Sequence, residues 1–83
     1  MPYTVVLPKK VQKELAKIDA RFRGRVILAL KLLEQGPFQG KKLAGEYAGQ
    51  YSIRVWPYRI IYSIIKKELL VIVIKVGHRQ GVY

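Results

Sequence analysis

Three short apolar segments in the last third of the chain constrain the fold most. They are rich in Ile, Val and Tyr, which suit a pleated and half-buried surface. The segments are Tyr51–Val55, Tyr58–Ile65 and Leu69–Val76. Trp56-Pro57 separates the first two, and Gly77 follows the third. Short apolar runs bounded by breakers predict strands, so we expect an antiparallel meander here.

The first half of the chain predicts a strand followed by two helices. Tyr3–Leu7 is β-rich and ends at Pro8, which suits the first turn of a helix because its missing N–H costs nothing there. Apolar residues then recur at helical spacing, Asp19 suits the N-cap of a second helix, and Gly36-Pro37 ends that helix. The stripe expected to face the sheet comprises Val11, Leu15 and Ile18, then Phe22, Val26, Leu30 and Leu33, widened by Ile27 and Leu32.

These elements predict a small α+β fold. We expect a single domain over residues 1–83, in which an N-terminal strand and a helical hairpin pack on one face of an antiparallel sheet of about four strands. The helices are expected to cover the side of Ile60, Ile64, Ile72 and Ile74. The face that carries Arg59 then stays open.

Basic residues accompany the strands where a plain core sheet would not need them. If the first connection has two residues, Arg54 faces Arg59 directly, and like charges opposite each other destabilise a sheet pair. A three-residue second connection places Arg59 opposite Lys75, whereas a two-residue connection places it opposite Ile74. With Arg79 just beyond the last strand, the cluster favours a phosphate-facing surface over a set of solvated charges.

Composition narrows the partners and excludes some chemistry. The net charge is +11 while 51% of the residues are hydrophobic, so we expect a folded basic domain that meets nucleic acid, an anionic membrane or an acidic protein. The absence of cysteine excludes disulfides and thiolate metal sites, and one histidine argues against structural zinc. No apolar run approaches the ~20 residues of a membrane span. Without a signal-peptide core at the N-terminus, we expect a cytoplasmic protein.

A glycine-rich connector, residues 38–50, links the helices to the meander. Its length indicates either a functional or a loosely ordered segment. Lys41 and Lys42 would bind phosphate or be solvated loop charges, and the sequence does not separate the two. Glu46 would be an acid–base group or, as we favour, a surface glutamate.

The C-terminal motifs resemble those of the RelE/ParE toxin superfamily. YSIRV, then YRIIY, then VIVIKVGHRQGVY match in combination over essentially the whole chain once the preceding strand and helices are added. The similarity is to RelE-type mRNA interferases, because GHR is followed shortly by VY. The resemblance implies a toxin of a type II toxin–antitoxin pair that cleaves mRNA in the ribosomal A site. It implies no metal or cofactor, with the ribose 2′-OH attacking the adjacent phosphate to leave a 2′,3′-cyclic phosphate and a 5′-OH.

The resemblance also implies catalytic roles for residues of the last strands. Arg59 and Arg79 would clamp the non-bridging phosphate oxygens, and Arg54 would hold the 3′-side phosphate or stabilise developing charge. Tyr83 would stack on a base or position the 2′-OH. His78 would donate a proton to the leaving 5′-oxygen, contact a phosphate, or be an inert neighbour of Arg79.

Further residues are expected to bind RNA. They are Lys41, Lys42, Ser52 and Lys75, and Ser52 takes the position at which better-known members carry a second basic residue. The implied partners are an acidic, partly disordered antitoxin that folds on binding, the ribosome with contacts to 16S rRNA, and mRNA, but no membrane. Two alternatives stay open: a ParE-like inhibitor of DNA gyrase without nuclease activity, and a basic RNA-binding module without catalysis.

Overall fold

Two helices pack on one face of a five-stranded, mostly antiparallel sheet in the computed structural model, which describes residues 2–78. The helices are α1 (Lys9–Ala16) and α2 (Ala20–Leu33). The strands are β1 (Thr4–Val6), β2 (Lys41–Lys42), β3 (Tyr51–Val55), β4 (Tyr58–Ile65) and β5 (Leu70–His78). They lie in the order β1-β5-β4-β3-β2, with β1 parallel to β5 and the other pairs antiparallel. The predicted α+β class, the helical hairpin and the meander are confirmed.

The connector before the meander contains a strand that the sequence does not predict. Lys41 pairs with Ser52 and Lys42 with Tyr51, so β2 extends the sheet beyond β3. Single-turn 3₁₀ helices flank it at Pro37–Gln39 and Gly45–Tyr47. Two adjacent lysines carry none of the apolar alternation by which strands are recognised, and the expected count of about four strands was therefore one too low.

The register of β3 with β4 is the predicted one. Val55 lies opposite Tyr58 and Arg54 opposite Arg59. The connection between the two strands is the dipeptide Trp56-Pro57, whose peptide bond is cis. The two arginines are therefore direct cross-strand neighbours.

The register of β4 with β5 differs from both predicted alternatives. Arg59 lies opposite Gly77, and neither Lys75 nor Ile74 occupies that position. Part of the difference comes from the connection, in which the 3₁₀ helix Lys66–Glu68 is followed by one residue in the left-handed conformation at φ 55°. The connection therefore has four residues, not two or three, and the ladder begins at Leu70.

A β-bulge in β5 accounts for the rest of the register difference. Tyr62 pairs with Val73, but the adjacent Ile61 pairs with Lys75, so Ile74 is the extra residue of the bulge. Beyond the bulge the alternation of β5 changes phase. Lys75 consequently shares a sheet face with Ile61, whereas Val73 shares the opposite face with Tyr62.

The helices cover the sheet face predicted from β4 but different residues of β5. Ile60 is fully buried there and Ile64 packs against the same core. The expectation that Ile72 and Ile74 face the helices was wrong, because the longer connection and the bulge turn other positions inward. The core residues of the sheet are Ile60, Tyr62, Val71, Val73 and Val76.

The helices contribute a narrower apolar stripe than the sequence predicts. Ile27 and Leu32 are 42% and 56% exposed, so they do not widen the stripe. Asp19 is the N-cap of α2 as predicted, since its Oδ1 accepts from Arg21 N at 2.9 Å. The hydrogen bond from the Arg21 side chain lowers the pKa of the Asp19 carboxyl below its usual value. Among residues 2–78, no helix is long and apolar enough to cross a membrane.

Tyr62 fastens the centre of the sheet to the connector. It is fully buried, its ring stacks on Tyr51 with centroids 5.8 Å apart, and its hydroxyl donates to the Pro37 carbonyl at 2.6 Å. Gly40 passes so close that a Cβ there would lie 2.9 Å from the Ser52 carbonyl oxygen and collide with the Tyr62 hydroxyl. Burial raises the pKa of Tyr62 to about 12.

The raised pKa of Tyr62 predicts a loss of stability in alkali. Its pKa is 10.0 in the unfolded reference and about 12 in the folded protein, so the folded state keeps the phenolic proton that the unfolded chain releases. This contribution is complete below pH 10 and is lost as the pH rises towards 12, amounting to about 3 kcal/mol of unfolding free energy. Urea unfolding at pH 8 to 12 measures it.

Tyr62→Phe is the matched control for this measurement. At pH 8 it should be about 1 kcal/mol less stable, because the Pro37 carbonyl loses its donor. Its stability should then fall less steeply than that of the native chain above pH 10, since lysine deprotonation is common to both. Equal alkaline losses in the two proteins would show that Tyr62 is not the group responsible.

Candidate nucleic-acid interface

The strand registers bring the predicted cations together on the sheet face away from the helices. Residues directly opposite each other in an antiparallel pair share a face, so each row across the sheet lies on one side of it. The first row is Lys41, Ser52, Ile61 and Lys75, and the next row is Arg54, Arg59 and Gly77. We call the surface formed by these seven residues the cationic face.

The middle of the cationic face is buried, and charged side chains lie around it. Ser52 and Ile61 form the floor and are only 4% and 0% exposed. Arg54 is exposed, while Arg59 and Lys75 are partly exposed. Because neighbouring strands lie ~4.8 Å apart, the first row spans roughly 14 Å from β2 to β5. A surface of this width suits a single nucleic-acid strand laid across the meander.

The central feature of this face is the pair Arg54 and Arg59. Directly opposed residues have Cβ atoms roughly 5 Å apart, and Lys75 is on the diagonal from Arg59. No acidic residue belongs to either row. Guanidinium groups present paired N–H donors that match the two oxygens of a phosphate. The arrangement is therefore suited to binding a phosphodiester.

Other predicted site residues lie elsewhere. Lys42 is opposite Tyr51 and thus on the helix side of the sheet. His78 is opposite Tyr58 and its ring packs edge-on against the Tyr58 ring, with centroids 5.8 Å apart. The structure does not bring His78 to the arginine pair. Arg79 and Tyr83 lie outside the described residues.

The acidic side chains of the described residues lie outside both rows of the cationic face. Glu46 is exposed in the 3₁₀ helix after β2, as a surface glutamate would be. Within the part of the chain that the structure describes, no three His, Cys, Asp or Glu side chains gather into a possible metal site.

Glu14 is a positioning residue that sequence reasoning missed. The short strand β1 pairs only with Leu70, Val71 and Ile72, so the same edge of β5 needs another partner further along. Glu14 of α1 supplies it, because its Oε1 accepts from Val76 N at 2.9 Å. The contact fixes the end of β5 just before Gly77 and His78. The signal was available: Glu14 is three residues after Val11, on the apolar side of α1.

A family model and a curated relative match the chain over almost its full length. The model described as the ParE toxin of type II toxin–antitoxin systems, parDE, matches residues 5–83. Toxin RelG of Mycobacterium tuberculosis is 34% identical over 85 residues, which cover 100% of this chain and 98% of RelG.

Solved structures of related toxins share the fold. The toxin–antitoxin complex RelBE2 from Mycobacterium tuberculosis contains a chain with a TM-score of 0.86 and 33% identity, over 95% of this chain and 100% of that chain. The archaeal RelE–RelB complex from Pyrococcus horikoshii gives a TM-score of 0.80 and 30% identity, covering 100% of both chains.

Replacing Glu14 tests how the end of β5 is held. Glu14→Ala should lower the free energy of unfolding by about 1–3 kcal/mol, because the Val76 N–H loses its acceptor in a partly buried position. Glu14→Gln keeps a carbonyl oxygen at that place and should lose less than half as much. Urea unfolding of the three proteins makes the comparison, and equal losses in the two variants would contradict an acceptor role.

Proposed function

Since the chain belongs to the ParE toxin family of type II toxin–antitoxin systems, within the RelE/ParE superfamily, we propose that it is a ribosome-dependent endoribonuclease. In this proposal it cleaves mRNA in the ribosomal A site and thereby inhibits translation. The observation that carries the proposal is the opposed pair Arg54 and Arg59, which belongs to two rows of described residues that contain no acidic side chain. Like charges directly opposite each other destabilise a sheet pair, and an anion bound between them would stabilise it.

The proposed reaction is an internal transfer of the phosphodiester. The ribose 2′-oxygen forms a bond to phosphorus as the 2′-OH loses its proton, and the bond from phosphorus to the 5′-oxygen breaks as that oxygen gains a proton. The products are a 2′,3′-cyclic phosphate and a 5′-OH, and no metal takes part. The protein then has to position the strand and stabilise charge on the phosphoryl oxygens.

The cationic face supplies these two functions. Arg59, at the centre of the sheet, is assigned to the non-bridging oxygens of the scissile phosphate. Arg54, opposite it and more exposed, is assigned to the neighbouring phosphate on the 3′ side or to developing charge. Neither arginine is a suitable general base, because a guanidinium group has five N–H donors and no acceptor. We assign His78 no step, because its ring lies on the other side of the sheet.

Flanking residues would hold the strand on either side of the cut. Lys41 and Lys75 stand at the two ends of the first row, where they would contact successive phosphates, and Ser52 belongs to the floor between them. Arg79 and Tyr83 keep the roles that the family resemblance implies: phosphate clamp, and base stacking or positioning of the 2′-OH. Lys42 would contribute to RNA binding only outside the cationic face.

Binding partners follow from the relatives and the charge. The complexes from Mycobacterium tuberculosis and Pyrococcus horikoshii are toxin–antitoxin assemblies, and we extend that pairing to this chain. The proposed antitoxin has an acidic, partly disordered segment that folds on this domain and blocks the cationic face. The net charge of +11 would accelerate its association, as well as docking to 16S rRNA, in a cytoplasmic setting.

One observation favours a second candidate function. The matching family model is described as a ParE toxin, which keeps gyrase inhibition without nuclease activity as the alternative. A gyrase inhibitor acts by binding and has no use for paired arginines that clamp a phosphate. Activity that depends on Arg59 therefore separates the two functions.

The test is translation of a defined mRNA on purified ribosomes, with cleavage mapped by primer extension. The native protein should cut within A-site codons, and only when ribosomes are present. Arg59→Ala should slow cleavage by about 100-fold or more, as removal of a transition-state donor does. Arg59→Lys should recover part of the activity, because it keeps the charge and loses the paired geometry.

Two controls complete this design. Lys31→Ala removes the same charge from α2, away from the cationic face, and should leave cleavage within about twofold of the native rate. Arg79→Ala tests the role given by resemblance. Absence of cuts together with inhibition of gyrase supercoiling would replace the proposal by its alternative.

A further inference from the structure

Trp56, in the turn between β3 and β4, is a large aromatic residue with an exposed side chain. It is the single tryptophan of the chain, and 56% of its surface is accessible to solvent. Tryptophan is highly buried on average, because its large apolar surface gains from leaving water. A small domain with 51% hydrophobic residues has many other apolar side chains that could be exposed in its place. The exposure of Trp56 therefore indicates a functional role.

The turn that carries Trp56 adjoins the arginine pair. The ladder of β3 and β4 ends with Val55 opposite Tyr58, and the row immediately before it is Arg54 opposite Arg59. Trp56 is therefore two residues from Arg54, roughly 7 Å along an extended chain. A phosphate held by the arginines leaves the base of its own or the next nucleotide within reach of the indole.

The turn is a supported platform. Pro57, directly after Trp56, is buried. The Tyr58 ring beyond it packs against Phe22 of α2, with centroids 6.1 Å apart, and against His78. Packing of Pro57 and Tyr58 restrains the backbone that carries Trp56, so the turn loses less conformational freedom on binding.

The surroundings identify the kind of ligand. Beside the turn, the exposed residue of β3 is Arg54, and the partly exposed Arg59 lies opposite it on β4. Exposed aliphatic side chains are instead on β1 and α2, at Val6, Ile27, Leu28 and Leu32. An aromatic surface next to paired cations fits single-stranded nucleic acid, in which every base offers a stacking face and every phosphate a charge. An apolar protein segment bound here would contact only one aromatic ring and would lie against two charged side chains.

We propose that Trp56 is a base-stacking subsite of the cationic face. Its indole stacks on a base of single-stranded RNA while Arg54 and Arg59 hold the adjacent phosphates. This rests on the proposed function for the identity of the RNA, but the contact itself needs no cleavage. It makes Trp56 a residue that sets strand position and base preference, and not a catalytic residue.

The test uses Trp56 fluorescence, which has no background from other tryptophans. The probe is a fully 2′-O-methylated hexaribonucleotide, which cannot be cleaved by 2′-OH attack, titrated at low salt without ribosomes. Its partner is an abasic hexamer with the same phosphates. The base-containing probe should quench Trp56 emission and bind about 5- to 150-fold more tightly than the abasic one, the range of one base–aromatic stack.

Variants that lack the indole are compared for binding of the same two probes. Binding is measured by fluorescence anisotropy of dye-labelled probes. Trp56→Phe should keep most of the preference for the base-containing probe, and Trp56→Ala should bind both probes equally. Because the side chain is exposed, both variants should unfold within a few degrees of the native protein. Equal binding of the two probes by the native chain, or no quenching by either, overturns the proposal.

The outcomes separate this proposal from the nuclease assignment. Quenching by the base-containing probe together with no cleavage on ribosomes would support the stacking subsite and contradict the nuclease assignment. If cleavage is instead lost in Arg59→Ala but keeps its rate and codon preference in Trp56→Ala, that result supports the nuclease assignment and contradicts the subsite. Protection of Trp56 by an acidic antitoxin peptide with no response to RNA would assign the ring to protein binding and overturn the proposal.

Discussion

The bulge at Ile74 is the feature of the sheet on which the cationic face depends. Side chains of a strand alternate between its two faces, so an uninterrupted β5 would place Lys75 and Gly77 on the same side as Val71 and Val73, which is the buried core. The extra residue reverses the alternation, so that Val76 continues the core instead. One inserted residue thus resolves the conflict between burying the first half of β5 and exposing charge in its second half.

The placement of apolar residues on one sheet face and of charged residues on the other explains how so small a domain tolerates its charge. Directly opposed residues have Cβ atoms roughly 5 Å apart, and the long side chains of arginine allow two opposed guanidinium groups to lie further apart, which weakens their repulsion. Arg54 and Arg59 lie on the sheet face away from the helices, and in the proposed function both would attract a bound phosphate. A partner that covers this face, as RNA or an antitoxin does in the proposed function, would stabilise the folded chain by binding it.

Much of the fold was predictable because local patterns agree with one another. The apolar runs located β3 and β4 to the residue, Asp19 located the start of α2, and the length of the Trp56-Pro57 connection placed Arg54 opposite Arg59. The predictions fail where the local sequence has no pattern that indicates the structure. β2 is two lysines held by β3, and VIVIKV is apolar enough on both faces that nothing in it marks a bulge. The site inherited that uncertainty, since Lys75 and His78 could be placed only once the register of β5 was known.

The end of β5 shows why the helical hairpin matters to a surface that it does not touch. β1 is too short to pair with β5 beyond Ile72, and α1 takes over that edge through Glu14 and the Val76 N–H. The cationic face on one side of the sheet is thus held in register from the other side, by one of the five carboxylates in a chain of net charge +11. An acidic group can serve there because the sheet stands between it and the arginines. On the cationic face itself it would compete with phosphate for the same donors.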